Sequence, residues 1–133
     1  MLSIRVLIVD DHDLLRETLR SFLESFPGVE VVGEAENGRV AVQLARDTKP
    51  AVVVMDVIMP EMDGIEATRL ITTEMPEIKV IGLSMHCDDG YPETLRQAGA
   101  SGFVAKDSAF EELIRAIEAV VANETDWRSQ IDR

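Results

Sequence analysis

Residues 51–60 read AVVVMDVIMP, and this stretch decides the fold of the chain. Five apolar residues lead directly into Asp56, and Pro60 follows too closely for the strand to continue. A continuous apolar run of this length is typical of a strand that is buried on both faces of a parallel sheet. Because ligands of open α/β sheets bind at the carboxyl ends of the strands, Asp56 is a candidate site residue.

A second predicted strand ends in the same way. Residues 4–9 read IRVLIV and are followed at once by Asp10 and Asp11. Mg²⁺ prefers carboxylate oxygens and water as ligands, and a divalent cation relieves the repulsion among clustered carboxylates. Three aspartates at the ends of two buried strands therefore indicate a site for a hard cation and a phosphoryl group.

Strand and helix patterns alternate five times along the 133 residues. Further strands are predicted at 30–35, 78–84 and 102–106, and each of the five strands is followed by a helical pattern. Five β/α units in a chain of this length predict one domain with a doubly wound parallel sheet.

Two more polar residues end predicted strands, Ser84 on the fourth and Lys106 on the fifth. The carboxylate of Asp56 is a plausible nucleophile toward phosphorus. Lys106 supplies a point charge for a phosphoryl oxygen, and the Ser84 hydroxyl can donate a hydrogen bond to another. Phosphoryl transfer needs mainly positioning and charge neutralisation, and these groups supply both.

Composition excludes several classes of function. The net charge of −12 means that the domain repels DNA on average, so any contact with nucleic acid belongs to another domain or to a partner. The single cysteine, Cys87, excludes an internal disulfide and fits a reducing compartment. No signal peptide and no apolar run of membrane-spanning length are visible, so we expect a cytoplasmic protein without a membrane contact.

Taken together and in this order, the motifs resemble the receiver domain of two-component response regulators over nearly the whole chain. Two stretches, 83–86 (LSMH) and 98–107 (AGASGFVAKD), are most similar to the NarL/FixJ subfamily. Members of that subfamily usually carry a C-terminal helix-turn-helix domain, which implies transcriptional output and DNA binding through a domain not included here. We expect the receiver domain at 1–123 and a tail or the start of a linker at 124–133. The matching motifs are the Asp10–Asp11 pair, Asp56 before Met59-Pro60 and Met62-Asp63-Gly64, Ser84, and Phe103 with Lys106.

The resemblance implies a flavodoxin-like fold with strand order 2-1-3-4-5. It also implies that Asp56 accepts a phosphoryl group from the phosphohistidine of a sensor histidine kinase. Mg²⁺, for which Mn²⁺ can substitute, would be bound by Asp11, Asp56 and the backbone carbonyl of Ile58, with Asp10 acting partly through water.

The same resemblance implies a conformational switch and a signalling role other than that of an enzyme. Lys106 would bind the phosphoryl group, Ser84 would move toward it, and Phe103 would change rotamer to fill the vacated space. A homodimer that forms on phosphorylation is expected by analogy. Ile58 and His86 are expected to flank the phosphoryl group, and we hypothesise that Ile58 hinders attacking water. The lifetime of the phosphorylated Ile58→Asn variant tests that hypothesis, which an unchanged lifetime would contradict.

Other interpretations remain open at this point. Asp10 and Asp11 would serve as helix N-caps in a purely structural interpretation. A Mg²⁺-dependent phosphatase of the aspartyl-phosphate type, a flavin-binding domain of the same topology and a degenerate receiver used only for protein contacts are competing functions. The chain also departs from many receivers, because Asp107 rather than proline follows Lys106.

Overall fold

The computed structural model describes residues 3–56, 64–84, 91–105 and 110–122, along which five strands and five helices alternate. The strands are β1 (Ile4–Val9), β2 (Val29–Ala35), β3 (Val52–Asp56), β4 (Lys79–Ser84) and β5 (Gly102–Ala105). The helices are α1 (Asp13–Glu24), α2 (Gly38–Thr48), α3 (Gly64–Glu74), α4 (Tyr91–Gln97) and α5 (Phe110–Val121). The predicted order of elements is confirmed, and the predicted strand boundaries differ from the observed ones by one residue at most.

All five strands form one parallel sheet in the order β2-β1-β3-β4-β5. β3 lies at the centre, and each of its five residues is buried, as the apolar run at 51–55 predicts. The order confirms the doubly wound, flavodoxin-like topology. In this topology the carboxyl ends of all the strands lie along a single edge of the sheet.

Two apolar layers cover the two faces of the sheet. One layer packs α2, α3 and α4 against it and contains Leu95 and Phe103, whereas the other packs α1 and α5 and contains Leu19 and Leu113. Close-packed layers of this kind hold the strands rigidly. The packed sheet therefore holds the residues at the strand ends in fixed positions.

The helix ends have identifiable causes. The side chain of Asn37 caps α2 by accepting a hydrogen bond of 2.9 Å from the backbone N–H of Val40. At the other end of α2, Lys49 adopts the left-handed conformation with φ 48°, and its carbonyl accepts a hydrogen bond from Arg5.

Among the described residues, no helix combines the length and the apolar character that crossing a bilayer requires.

Candidate metal and phosphoacceptor site

The candidate site lies at the carboxyl edge of the sheet, where β1 and β3 end side by side. Val9 pairs with Met55 in the parallel register, so the next residues along the two strands are Asp10 and Asp56. The adjacent pairing of Asp56 with Leu83 brings the backbone of Ser84, the last residue of β4, to the same edge. The register therefore brings together the strand ends that the sequence predicts to form the site.

Asp10 and Asp56 are buried, with relative exposures of 0% and 4%, whereas the side chain of Asp11 is 30% exposed. One carboxylate oxygen from each aspartate and one ring nitrogen of His12 all lie within 4.8 Å of one another. Burying carboxylates is costly unless hydrogen bonds or a cation compensate the charge. Two of the three carboxylates are therefore buried, and the cluster has its open side, facing solvent, at Asp11.

The donor set fits a hard divalent cation. Mg²⁺ binds oxygen ligands at about 2.0–2.1 Å in an octahedron, so its ligands lie about 3–4 Å apart. The 4.8 Å cluster of Asp10, Asp11 and Asp56 oxygens needs only a small contraction to reach that geometry. The open side, toward Asp11, leaves room for the waters that Mg²⁺ usually keeps.

His12 was not predicted as a member of the site. Its backbone N–H donates a hydrogen bond of 2.8 Å to Oδ1 of Asp10, and its ring Nδ1 lies 3.1 Å from the Oδ1 atoms of both Asp10 and Asp11. His12 is also the N-cap residue of α1, and its side chain makes no capping hydrogen bond. The N-cap interpretation of Asp10 and Asp11 is therefore wrong, because α1 begins after His12.

A charged network adjoins the site on the side of β2. Arg16 donates to Glu34 at 3.0 Å, to Asp13 at 2.7 Å and to the backbone carbonyl of Asp10 at 2.6 Å, while Arg20 donates to the other oxygen of Glu34. The hydrogen bond from Arg20, reinforced by Arg16 and opposed by burial, lowers the pKa of Glu34. Burial acts to lower the pKa of Arg16, but its bonds to Asp13 and Glu34 prevail and raise it. Arg16 and Glu34 therefore stay oppositely charged at neutral pH.

Phe103 lies fully buried on β5, in the same apolar layer as Val9 and Met55, which immediately precede two of the site aspartates. On the neighbouring strand, Gly82 makes room for Leu95 of α4: a Cβ atom at Gly82 would lie 2.4 Å from Leu95 Cδ1, whereas its 3.5 Å distance from Phe103 Cδ1 would be an ordinary contact. Phe103 therefore belongs to the same apolar layer as Leu95 of α4 and the residues that precede the site aspartates. The predicted change of its rotamer remains a prediction.

Three predicted residues, Lys106, Ile58 and His86, lie outside the described residues. The described part of β5 ends at Ala105, which pairs with Ser84. The roles assigned to these residues, and the role of the Ser84 side chain, stay predictions.

A five-stranded parallel sheet with this order and an aspartate cluster at its carboxyl edge defines a receiver domain. The chain belongs to the family described as the response regulator receiver domain, whose family model matches residues 6–118. It is 44% identical to the response regulator GacA of Pseudomonas aeruginosa and 41% identical to the response regulator UvrY of Escherichia coli, in each case over 121 residues. Each alignment covers 91% of this chain and 56% of the relative, so the chain spans about half the length of the curated relatives it matches.

A solved structure leads to the same conclusion. The two-component response regulator of the LuxR family from Aurantimonas sp. SI85-9A1 matches with a TM-score of 0.89 at 40% identity, covering 93% of this chain and 89% of that one. The predicted family and fold are confirmed, and the protein is a receiver domain with a signalling role. Neither the fold nor these relatives favour the phosphatase, flavin-binding or degenerate-receiver alternatives.

Proposed function

We propose that Asp56 accepts a phosphoryl group from the phosphohistidine of a sensor histidine kinase. The observation that carries this proposal is the clustering of the buried Asp56 carboxylate with those of Asp10 and Asp11 within 4.8 Å, at the end of the central strand. An Oδ atom of Asp56 attacks phosphorus, the P–N bond to the kinase imidazole breaks, and that nitrogen keeps the electron pair. Because the imidazole also takes up one proton from water, the products are an aspartyl phosphate on this chain and a neutral histidine on the kinase.

Asp11, Asp56 and the backbone carbonyl of Ile58 would hold Mg²⁺, with Asp10 acting partly through water. When bound, the cation offsets the charge of the carboxylates and of the phosphoryl oxygens. Mn²⁺ can substitute, because it also accepts carboxylate, carbonyl and water ligands. The hydrogen bond from the backbone N–H of His12 helps to hold the Asp10 carboxylate beside Asp56, and the His12 ring lies 3.1 Å from Oδ1 of Asp11.

Lys106 and Ser84 would bind the remaining phosphoryl oxygens, one through its ammonium group and the other through its hydroxyl. Movement of Ser84 toward the phosphoryl group would then let Phe103 change rotamer. Converting a two-state domain from mostly inactive to mostly active requires about 5 kcal/mol of differential interaction, for which a dianionic group bound by a cation, a lysine and a hydroxyl is a reasonable source. Ile58 and His86 would set how long the phosphoryl group survives hydrolysis.

The domain would act as a switch rather than as an enzyme, promoting only its own phosphorylation and dephosphorylation. Residues 1–123 would form the receiver, and 124–133 a tail or the start of a linker, which agrees with the family match at 6–118. Transcriptional output through a separate DNA-binding domain is supported by the similarity to a solved structure described as a DNA-binding response regulator of the LuxR family. The net charge of −12 disfavours direct DNA contact by the receiver itself. Phosphorylation would favour a homodimer, and the setting would be the reducing cytoplasm.

A small-molecule phosphodonor tests the proposal without knowledge of the kinase. Wild-type protein and the Asp56→Asn variant are incubated with acetyl phosphate and Mg²⁺, and the intact masses are compared. We expect one phosphoryl group on the wild type and none on the variant, whose amide is a poor nucleophile. A wild-type protein that binds Mg²⁺ but gains no phosphoryl group would instead support a degenerate receiver.

A further inference from the structure

Arg16, on the first turn of α1, uses all three nitrogens of its guanidinium group. Nη1 donates to the backbone carbonyl of Asp10 at 2.6 Å, Nε to Glu34 at 3.0 Å and Nη2 to Asp13 at 2.7 Å. The side chain is only 15% exposed, so the bonds to Asp10 and Glu34 are partly shielded from competing water, whereas the bond to Asp13, whose side chain is 82% exposed, faces solvent. One side chain thus joins the end of β1 to β2 and to α1.

The carbonyl that Arg16 holds belongs to the peptide unit between Asp10 and Asp11. Because a peptide unit is planar, fixing its carbonyl also fixes the direction in which the chain leaves toward Asp11. On the preceding peptide, the N–H of Asp10 donates to the carbonyl of Ala35 on β2 at 3.0 Å. The backbone of Asp10 is therefore held on both sides, and the placement of Asp11 depends on the bond from Arg16.

Glu34 keeps Arg16 in this position and balances its charge. One oxygen of the Glu34 carboxylate accepts from Arg16 and the other from Arg20, so the carboxylate bridges two arginines of α1. Arg16 reaches the site through the backbone carbonyl of Asp10, whereas His12 contacts the carboxylates of Asp10 and Asp11. Arg20 donates to Glu34 and Glu24, two residues outside the aspartate cluster.

We propose that Arg16 is a positioning residue for the cation site and that it acts through the Asp10–Asp11 peptide. This inference rests on the proposed function only in taking these aspartates as cation ligands. Groups that orient metal ligands typically change metal affinity by about 10–100-fold when they are removed. We expect Arg16→Met to weaken Mg²⁺ binding by at least about tenfold.

The test compares Arg16→Met with Arg20→Met, which also removes an arginine from Glu34 and changes the net charge equally. Mg²⁺ affinity is measured by calorimetric titration, and folding is checked by circular dichroism. Arg16→Met should weaken binding at least about tenfold and Arg20→Met by less than about threefold. Arg16→Lys, which keeps the charge and one donor, should recover part of the loss.

The rate of phosphorylation by acetyl phosphate at increasing Mg²⁺ provides a second measurement. For Arg16→Met we expect a higher Mg²⁺ concentration at half-maximal rate and a near-normal rate at saturation. Equal weakening of Mg²⁺ binding in the two methionine variants, or unchanged binding in Arg16→Met, would overturn the inference. If the wild type binds Mg²⁺ but is not phosphorylated, the proposed function fails, while the calorimetric comparison still decides the role of Arg16.

Discussion

The carboxylates of Asp10 and Asp56 lie at the ends of two adjacent parallel strands, and both are almost fully withdrawn from water. Hydrophobic side chains at these positions would avoid the cost of burying charge. The cost of burying two carboxylates beside the more exposed Asp11 is explained if the cluster binds a cation and reacts with a phosphoryl group. The most direct consequences concern metal binding.

Mg²⁺ should stabilise the folded domain. A ligand that binds only the native state adds about 2.7 kcal/mol to the free energy of unfolding at a concentration one hundred times its Kd. Urea unfolding with and without Mg²⁺ measures this increment, and chelation with EDTA should remove it. Asp11→Asn should lose most of the increment, because a charged ligand is gone. An undiminished increment in that variant would show that Mg²⁺ acts elsewhere.

Glu34 should make stability depend on pH in the acidic range. Its hydrogen bond from Arg20, reinforced by Arg16 against the effect of burial, places its folded-state pKa below the ordinary value of 4.5. The ionised form is thus favoured by folding, so its stabilisation is fully present above pH 4.5 and is lost as pH falls through the folded-state pKa.

Glu34→Gln should therefore lower the free energy of unfolding by about 1.5 kcal/mol at neutral pH. The difference from wild type should shrink as the pH falls from 4.5 through the lower folded-state pKa, because Glu34 is protonated first in the unfolded chain and then in the folded domain. Urea titrations over this pH range provide the measurement, and Glu30→Gln, at an exposed position on the same strand, is the control. A difference that stays constant down to the acid transition would argue against the ionic role of Glu34.

Any side chain at position 99 should lower the stability of the domain. Its φ is 110°, and a Cβ atom there would lie 2.2 Å from Oγ1 of Thr72, which donates to the carbonyl of Ala98 at 2.9 Å. Gly99→Ala should therefore destabilise the domain by about 1–3 kcal/mol. Gly28→Ala, where a Cβ atom meets nothing within 4 Å, should change stability by less than about 0.5 kcal/mol. Similar unfolding midpoints for the two variants would contradict this explanation.

Sequence patterns predict the strands that carry the site residues better than they predict the contacts of the side chains. The apolar run before Asp56 and the strand before Asp10 are local signals, and the parallel topology follows from their alternation with helices. Strand register then brings the two aspartates together. The approach of Arg16 to the carbonyl of Asp10 depends instead on how α1 packs against β2, which no local pattern encodes.

Two other features of the structure could not be predicted from local sequence patterns either. His12 is adjacent to the acidic pair in sequence, but the direction of its ring depends on the turn that leads into α1. Pro50 predicts that α2 ends just before it, but Lys49 adopts a left-handed conformation that glycine usually supplies, so the residue type does not predict the geometry of that helix end. Both depend on local backbone geometry that a residue type does not determine.

The central claim is that Asp56 is the phosphoacceptor, and chemical mapping of the phosphorylated residue tests it most directly. After incubation with acetyl phosphate and Mg²⁺, borohydride reduction converts an aspartyl phosphate to homoserine, which peptide mass spectrometry can locate. We predict homoserine at position 56 and at neither Asp10 nor Asp11. Homoserine at another aspartate, or the absence of any reduced residue in a protein that binds Mg²⁺, would contradict the claim.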